Sequence, residues 1–194
     1  MEHCFVCNRI DLIKKGENPF FVRELDTGYV VIGVSQRFKG YTVFICKKCV
    51  NELHLLDGEF RMEFLREMSI VAEAVYNAFK PDKLNYELLG TGNAKHMHWH
   101  IFPRRDGDTP AAGPVWKIGK EVFSKEFAPT AEELDSLKNA LNKQLEKLIG
   151  EKCLLRLIAA DKNFYYFYQF FTKKLLTNLK SCVIILKLSR VMGA

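Results

Sequence analysis

The sequence predicts an α+β protein built on an antiparallel sheet of about five strands, with two long helices. Short runs rich in Val, Ile, Phe and Tyr alternate with turn residues in the first half of the chain. Two longer segments instead repeat their apolar residues every three or four positions, as amphipathic helices do. Because three of the strand-like runs follow one another across short turns, we expect them to pair antiparallel.

The first three strands are predicted from their composition and from the turns between them. They lie at 20–24, 29–34 and 41–46 and are rich in aliphatic and aromatic residues. The turns at 26–28 and 39–40 each contain Gly, which is typical of hairpin connections. We therefore expect these strands to be consecutive members of one sheet.

The first long helix is predicted between Glu59 and Lys80. Its apolar residues are spaced by three or four positions, so they form one stripe along a helix: Phe60, Phe64, Met68, Val71, Val75 and Phe79. Pro81 follows directly. Because proline lacks a backbone N–H group and its ring clashes with the preceding turn, we expect the helix to stop before it.

Two further strands follow this helix, at 84–89 and 97–102. The segment 90–93 between them has the sequence Gly-Thr-Gly-Asn, which predicts a turn, and Pro103 ends the second run.

The second long helix is predicted after a loop. Residues 103–129 hold four of the six prolines and show no period, which is typical of a loop. Thr130 and Glu133 have the spacing of a capping box. The leucine stripe of the helix then runs up to Gly150: Leu134, Leu137, Leu141, Leu145 and Leu148.

The basic charge of the chain is confined to its C-terminal part. The 194 residues include 29 Lys and Arg against 23 Asp and Glu, a formal net charge of +6. Residues 1–150 hold 21 of each sign, so the whole excess lies in 151–194. We therefore predict a neutral domain at 1–149 and a basic, aromatic C-terminal extension at 150–194, of unknown role. The ordinary globular composition excludes wholesale disorder and a collagen-like fibre.

Three interpretations of the extension stay open, because residues 164–171 combine seven aromatic side chains with nearby Lys. It could lie on an anionic membrane surface. It could bind nucleic acid through stacking and phosphate contacts, although nucleic acid is not expected for the rest of the chain. It could also be a non-native end.

The sequence begins without the basic and apolar regions of a secretory signal, and no apolar run approaches the ~20 residues of a membrane-spanning helix. Its six cysteines therefore predict free thiols or metal ligands rather than disulfides. We expect a soluble cytoplasmic protein.

Three of the five histidines, His96, His98 and His100, alternate with apolar residues in the fifth predicted strand. Side chains of a strand alternate between its faces, so the three imidazoles share one face, and we expect that face to point outward. At a rise of ~3.3 Å per residue the outer two lie about 13 Å apart, too far to chelate one ion together with the middle one. Such a row fits nucleophilic and acid–base work on a phosphate better.

The run from His96 to Phe102 matches the pattern His-φ-His-φ-His-φ-φ, where φ is apolar. In this the chain resembles the histidine triad (HIT) superfamily of nucleotide hydrolases and transferases. Cys4-x-x-Cys7 and the run from His98 to Arg104 are similar to its bacterial branch that includes diadenosine-polyphosphate hydrolases. The resemblance covers roughly residues 1 to 149 and implies a HIT-like fold and a homodimer.

The resemblance also implies roles for individual residues. His98 would be the nucleophile that attacks the α-phosphorus of a dinucleoside polyphosphate or a related nucleoside phosphate and forms a nucleotidyl-histidine. His100 would bind the phosphoryl oxygens and assist proton transfer, and Asn93 and Asn85 would contact the substrate. No organic cofactor is implied.

The cysteines predict a zinc site whose ligand set has two readings. The two Cys-x-x-Cys pairs, at 4–7 and 46–49, would supply four thiolates. The resemblance implies instead a structural Zn²⁺ held by Cys4, Cys7, Cys49 and His96, with Cys46 and His54 as alternative ligands. The cysteines could also be free of metal.

Two other classes of function remain open. One is a zinc-stabilised nucleotide-binding HIT protein with little catalysis. The other is a small zinc module whose extension binds nucleic acid.

Overall fold

The computed structural model describes residues 4–110, 113–115, 117–119 and 124–160, with the backbone alone over 151–160. In this part of the chain a five-stranded antiparallel sheet is combined with three α-helices. The predicted α+β class is confirmed, with one helix more than expected. None of the helices in the described ranges is both long and apolar enough to cross a membrane.

The elements follow the predicted order. They are α1 (Phe5–Lys14), β1 (Phe21–Glu24), β2 (Gly28–Ile32), β3 (Thr42–Cys46), α2 (Gly58–Phe79), β4 (Lys83–Leu88), β5 (His98–Arg104) and α3 (Ala131–Ala160). The strands are arranged β1-β2-β3-β5-β4, so β5 pairs on both sides. It extends past Pro103, which the sheet tolerates because pairing of β5 with β3 has ended by then.

Helix α2 covers one face of the sheet with the apolar stripe that the sequence predicts. Its residues Phe64, Val71 and Val75 are buried, and the Phe64 ring stacks on Phe44 of β3 with centroids 5.1 Å apart. The Asp57 side chain caps the first turn by accepting a hydrogen bond from the backbone N–H group of Phe60.

Helix α1, which is not among the predicted elements, covers the opposite face. Val6, Ile10 and Ile13 are buried in one cluster with Tyr29, Val31 and Ile45 of β2 and β3. Their spacing of four and three residues is helical, and this short stripe is the signal that could have predicted α1.

The turn between β1 and β2 is fastened to α2 by Glu67, a buried carboxylate. It accepts hydrogen bonds from the backbone N–H groups of Asp26, at 2.8 Å, and Thr27, at 2.9 Å, and from the Thr27 hydroxyl. Asp26 and Glu63 lie close enough to Glu67 for a metal site in principle. Because Glu67 already satisfies its oxygens with protein donors, we assign the cluster a structural role.

Helix α3 continues ten residues beyond Gly150, where its leucine stripe is predicted to stop. A single Gly costs a helix only about 1 kcal/mol, and residues 151–160 include the good helix formers Leu, Ala, Lys and Arg. The chain divides into compact units between Gln144 and Leu145, inside α3. The rest of the predicted extension, 161–194, lies outside the described residues.

Candidate active site

Strand β5 places the histidines on the face of the sheet that α1 covers. His98 lies opposite Ile45 and His100 opposite Val43 in the pairing of β3 with β5, and opposite residues of paired strands share a face. Ile45 also belongs to the cluster packed against α1. His98 and His100 are half-buried, and His96, just before β5, is 2% exposed. The expectation that the row faces outward is therefore wrong, because α1 and the segment before β1 cover this face.

The hydrogen bond of His98 determines which of its nitrogens is nucleophilic. Its Nδ1 lies 2.7 Å from the backbone carbonyl oxygen of His96. A carbonyl can only accept, so Nδ1 carries the proton and donates it there. In the neutral ring the lone pair then resides on Nε2, which is the nitrogen able to attack an electrophile.

His100 lies beside His98, with ring centroids 4.6 Å apart. Its Nδ1 lies 2.5 Å from the Tyr41 hydroxyl. Burial, assisted by the neighbouring His98, lowers the pKa of His100 to about 3. His100 is therefore neutral near neutral pH, and it can act as a hydrogen-bond donor through one ring nitrogen.

A cavity of about 170 Å³ opens beside these two rings. Apolar side chains of α1, β2 and β3 and of the segment before β1 form most of its wall, including Phe5, Phe20, Val31, Val43 and Ile45. Arg9 is the one Lys or Arg that lines it, and within the described residues Arg9 makes no hydrogen bond or ion pair. Its guanidinium lies 5.3 Å from the centroid of the Phe5 ring. Neither these α1 residues nor the helix that carries them is predicted from the sequence.

The two predicted asparagines lie outside this wall. Asn93 is exposed on a short 3₁₀ turn, Gly92–Ala94, of which only Ala94 lines the cavity. Asn85 lies opposite Phe102 in the pairing of β4 with β5, and its Oδ1 accepts a hydrogen bond of 2.8 Å from Arg104.

Arg104 itself is occupied by structural contacts. Its guanidinium donates two hydrogen bonds of 2.7 Å to the carboxylate of Asp108 and another to the backbone carbonyl of Gly113. These bonds hold the segment after β5 against the sheet, so this arginine has little capacity left for a ligand.

Four residues predicted to bind metal converge next to the histidine row. The ligand atoms of Cys4, Cys7, Cys49 and His96 all lie within 4.8 Å of one another, and Cys7 Sγ is 3.4 Å from His96 Nδ1. Tetrahedral zinc, with Zn–S bonds of about 2.3 Å and Zn–N bonds of about 2.0 Å, requires separations of roughly 3.5 to 3.8 Å between ligand atoms. Cys46 and His54 are not members of this cluster.

The hydrogen bonds around the cluster suit a cation. His96 Nε2 lies 2.7 Å from the carbonyl oxygen of Cys46, so Nε2 carries the proton and the Nδ1 lone pair is available beside Cys7. Burial and the neighbouring thiols raise the pKa of Cys7 to about 12. Burial also opposes ionisation of Cys4, but hydrogen bonds from the backbone of Cys7 and Val6 outweigh it and lower the pKa of Cys4. The donor set thus fits one divalent metal ion.

Comparison with known proteins gives consistent results. Residues 15–107 match the HIT domain. Protein hit of Bacillus subtilis (strain 168) is 26% identical over 151 residues, which is 74% of this chain and 95% of that protein. A histidine triad protein of known structure from Marinobacter aquaeolei VT8 is 26% identical, with a TM-score of 0.58 over 66% of this chain and 89% of that chain. A Zn-bound histidine triad family protein from Mycobacterium smegmatis shares the fold, at 21% identity and a TM-score of 0.52, over 76% of this chain and 96% of that chain.

Proposed function

We propose, from the match of residues 15–107 to the HIT domain, that the protein is a nucleotide hydrolase or nucleotidyl transferase. It cleaves at the α-phosphate of a dinucleoside polyphosphate or a related nucleoside phosphate through a nucleotidyl-histidine. The observation that carries the proposal is the hydrogen bond from His98 Nδ1 to the His96 carbonyl, which leaves the Nε2 lone pair for attack on phosphorus. The substrate and this mechanism are our proposal.

In the first step His98 Nε2 forms a bond to the α-phosphorus, and the bond from phosphorus to the leaving phosphate oxygen breaks. The leaving group departs with the electron pair as a phosphate anion. The His98 ring becomes positively charged, and its Nδ1–H group donates to the negative end of the His96 carbonyl dipole. That dipole stabilises the charge as it develops, which is the condition for lowering the barrier.

In the second step an acceptor attacks the same phosphorus, the electron pair of the N–P bond returns to Nε2, and the proton that the acceptor loses passes to solvent. Water as acceptor gives hydrolysis, and another nucleophile gives transfer. Division of one displacement into two steps is the logic of covalent catalysis, and it predicts ping-pong kinetics.

Binding of the substrate is divided between the rings and the cavity wall. The N–H group of neutral His100 donates to a non-bridging oxygen, and the apolar wall takes the base and ribose. Arg9 supplies positive charge for the phosphate chain. Asn93, one residue from the cavity-lining Ala94, stays a predicted contact at the rim. Asn85 stays a predicted contact too, with its Oδ1 shared with Arg104.

The test is replacement of the nucleophile. His98→Ala is expected to lower kcat for diadenosine tetraphosphate at least about a thousandfold, because no other lone pair replaces Nε2. His54→Ala, which removes an exposed imidazole outside the cavity, is the matched control and should retain full turnover. Acid-labile labelled nucleotide should be trapped on the wild type and not on His98→Ala. If His98→Ala turned the substrate over at the wild-type rate, His98 would be excluded as the nucleophile. If the wild type bound the nucleotide without turning it over, the result would favour a binding protein with little catalysis.

We further propose that Cys4, Cys7, Cys49 and His96 hold a structural Zn²⁺. Support comes from the 3.4 Å approach of Cys7 Sγ to His96 Nδ1 and from the tautomer that Cys46 imposes on His96. Four protein ligands leave no open position on the metal, so it would cross-link the chain rather than take part in the reaction.

We also propose that the protein forms a homodimer through the β4 side of the sheet. β4 is an edge strand of the described sheet, and its Tyr86 and Leu88 are exposed. An open groove of about 410 Å³ between α2 and β4 continues this apolar surface, with Tyr76 and Tyr86 in its wall. A second copy that paired along β4 would form hydrogen bonds with the backbone groups on the outer side of this strand, and it would cover these exposed side chains.

A further inference from the structure

Tyr41, just before β3, contacts His100 in a defined geometry. Its hydroxyl oxygen lies 2.5 Å from His100 Nδ1, and the two rings are parallel within 11°, with centroids 5.9 Å apart. Both residues line the cavity beside His98. The contact joins residues 59 positions apart in the sequence, and the pairing of β3 with β5 brings them together.

The Tyr41 ring is held in place on several sides. It is 3% exposed and stacks on Phe102 with centroids 4.2 Å apart. On another side it fills the space above Gly33, where an added Cβ atom would lie 2.0 Å from the ring carbon Cδ1. The backbone N–H group of Gly33 also donates to the carbonyl of Tyr41, at 2.8 Å. The hydroxyl is therefore fixed, and the position it takes is set by packing.

The chemistry of the two groups determines the direction of their hydrogen bond. Burial raises the pKa of Tyr41 above its ordinary value, with a contribution from the negative charge of Glu87, so the phenol keeps its proton. His100 is neutral and has one N–H group and one lone pair. A phenol is a stronger acid than neutral imidazole, and an imidazole nitrogen is a stronger base than a phenol oxygen. The favourable arrangement is therefore donation from the Tyr41 hydroxyl to the lone pair of His100 Nδ1.

We propose that Tyr41 is a positioning residue that fixes the tautomer and orientation of His100, so that the His100 Nε2–H group is the donor presented to the phosphoryl oxygens beside His98. The proposal rests on the function proposed above. In this role Tyr41 acts through His100, with which it makes the hydrogen bond, and not on the phosphorus itself.

The loss of the hydroxyl has a specific consequence. In Tyr41→Phe the ring still fills the space between Gly33 and Phe102, but Nδ1 of His100 has no phenol donor. His100 can then place its proton on either nitrogen and turn about its side-chain bond. Substrate still enters the cavity. The charge on the transferring phosphoryl group is stabilised less, however, so the variant loses stabilisation of the transition state rather than affinity for the substrate.

The kinetic experiment compares Tyr41→Phe with the wild type and with Tyr29→Phe. Tyr29 is a buried tyrosine on the same face of the sheet that does not line the cavity, so its variant is the matched control. We expect the single-turnover rate of His98 nucleotidylation and kcat to fall about tenfold or more in Tyr41→Phe, with KM changed less than about threefold. Tyr29→Phe should behave as the wild type. An unchanged rate in Tyr41→Phe, or an equal loss in Tyr29→Phe, would overturn the proposal.

A second measurement is independent of turnover. Ring ¹⁵N chemical shifts distinguish a protonated from an unprotonated imidazole nitrogen, and the His100 signals can be assigned by their absence in His100→Gln. We expect wild-type His100 to carry its proton on Nε2 and Tyr41→Phe to show a mixture of tautomers. Should the wild type carry it on Nδ1, or should Tyr41→Phe keep the wild-type tautomer, the proposal is wrong even if activity falls. If the tautomers behave as expected but the wild type has no turnover, the proposed function fails and the positioning role stands.

Discussion

His98 and His100 of β5 and His96, two residues before it, have three different environments. His96 donates through Nε2 to the Cys46 carbonyl and turns Nδ1 toward the thiols. His98 donates through Nδ1 to a carbonyl, and His100 Nδ1 lies against the Tyr41 hydroxyl. The spacing of the histidines predicts a shared face and separate roles. It cannot predict which nitrogen is protonated, because backbone carbonyls and a distant tyrosine decide that.

The lowered pKa of His100 makes the stability of the protein depend on pH. In the unfolded chain His100 binds a proton below about pH 6.5, whereas in the fold its pKa is about 3. Between these values the unfolded state holds more protons, so the free energy of unfolding falls as the pH falls from about 6.5 toward 3. One such group contributes a slope of at most about 1.4 kcal/mol per pH unit.

The measurement is chemical denaturation of the wild type and of His100→Gln at several pH values between 4 and 7. The other titrating groups contribute equally to both proteins. The difference between the two slopes of unfolding free energy against pH therefore gives the contribution of His100. We expect the wild type to lose stability more steeply with acid by about 1 kcal/mol per pH unit. Parallel slopes would show that His100 titrates normally in the fold.

At the scale of the elements, a helix was predictable where its ends carry capping signals. The Thr130 and Glu133 capping box is formed as expected, with hydrogen bonds of 2.9 and 3.2 Å. Helix α1 has Cys4 at its N-cap position, where the side chain makes no capping hydrogen bond, and it has no acidic residue in its first turn. Its apolar stripe is also only three residues long. The strands were placed within a few residues, because alternation and turn residues define them locally.

The fastening of the β1–β2 turn to α2 gives a prediction at this scale. Glu67→Gln replaces one acceptor oxygen by an N–H donor that faces other donors, so we expect the free energy of unfolding to fall by about 1 to 3 kcal/mol. Glu73→Gln, an exposed position on the same helix, should change it by less than about 0.5 kcal/mol. Denaturant titration with a common slope for the three proteins checks this. Equal stabilities for all three would show that the turn does not depend on the carboxylate.

On the scale of the whole molecule, the cysteine and histidine cluster joins segments that are far apart in the sequence. Cys4 and Cys7 lie at the start of α1, Cys49 follows β3, and His96 precedes β5. A metal ion held there would fasten α1 onto the sheet beside the cavity. The sequence suggested this ligand set only through resemblance, since spacing alone equally allowed a site of four cysteines.

Metal removal tests this cross-link. We expect the purified protein to hold about one equivalent of zinc by elemental analysis, and removal with a chelator to lower Tm by about 10 °C or more. Cys7→Ser should lose the metal. Cys46→Ala, which removes a buried thiol outside the cluster, should keep it even if the fold becomes somewhat less stable. Retention of zinc in Cys7→Ser would contradict the ligand set.

The two sides of the cavity differ in how firmly their backbones are held. His98 and His100 lie on β5, an inner strand with hydrogen-bonded neighbours on both sides, so opening its amides to solvent requires breaking the centre of the sheet. Phe5 and Arg9 lie on a ten-residue helix that packs against the sheet through side chains, with the cluster proposed to bind zinc at its start. If the protein acts as proposed, substitutions in α1 would alter which nucleotide enters the cavity without displacing His98 and His100. Under the proposed function, substrate preference could then be changed through α1 while the chemistry of the histidines stays the same.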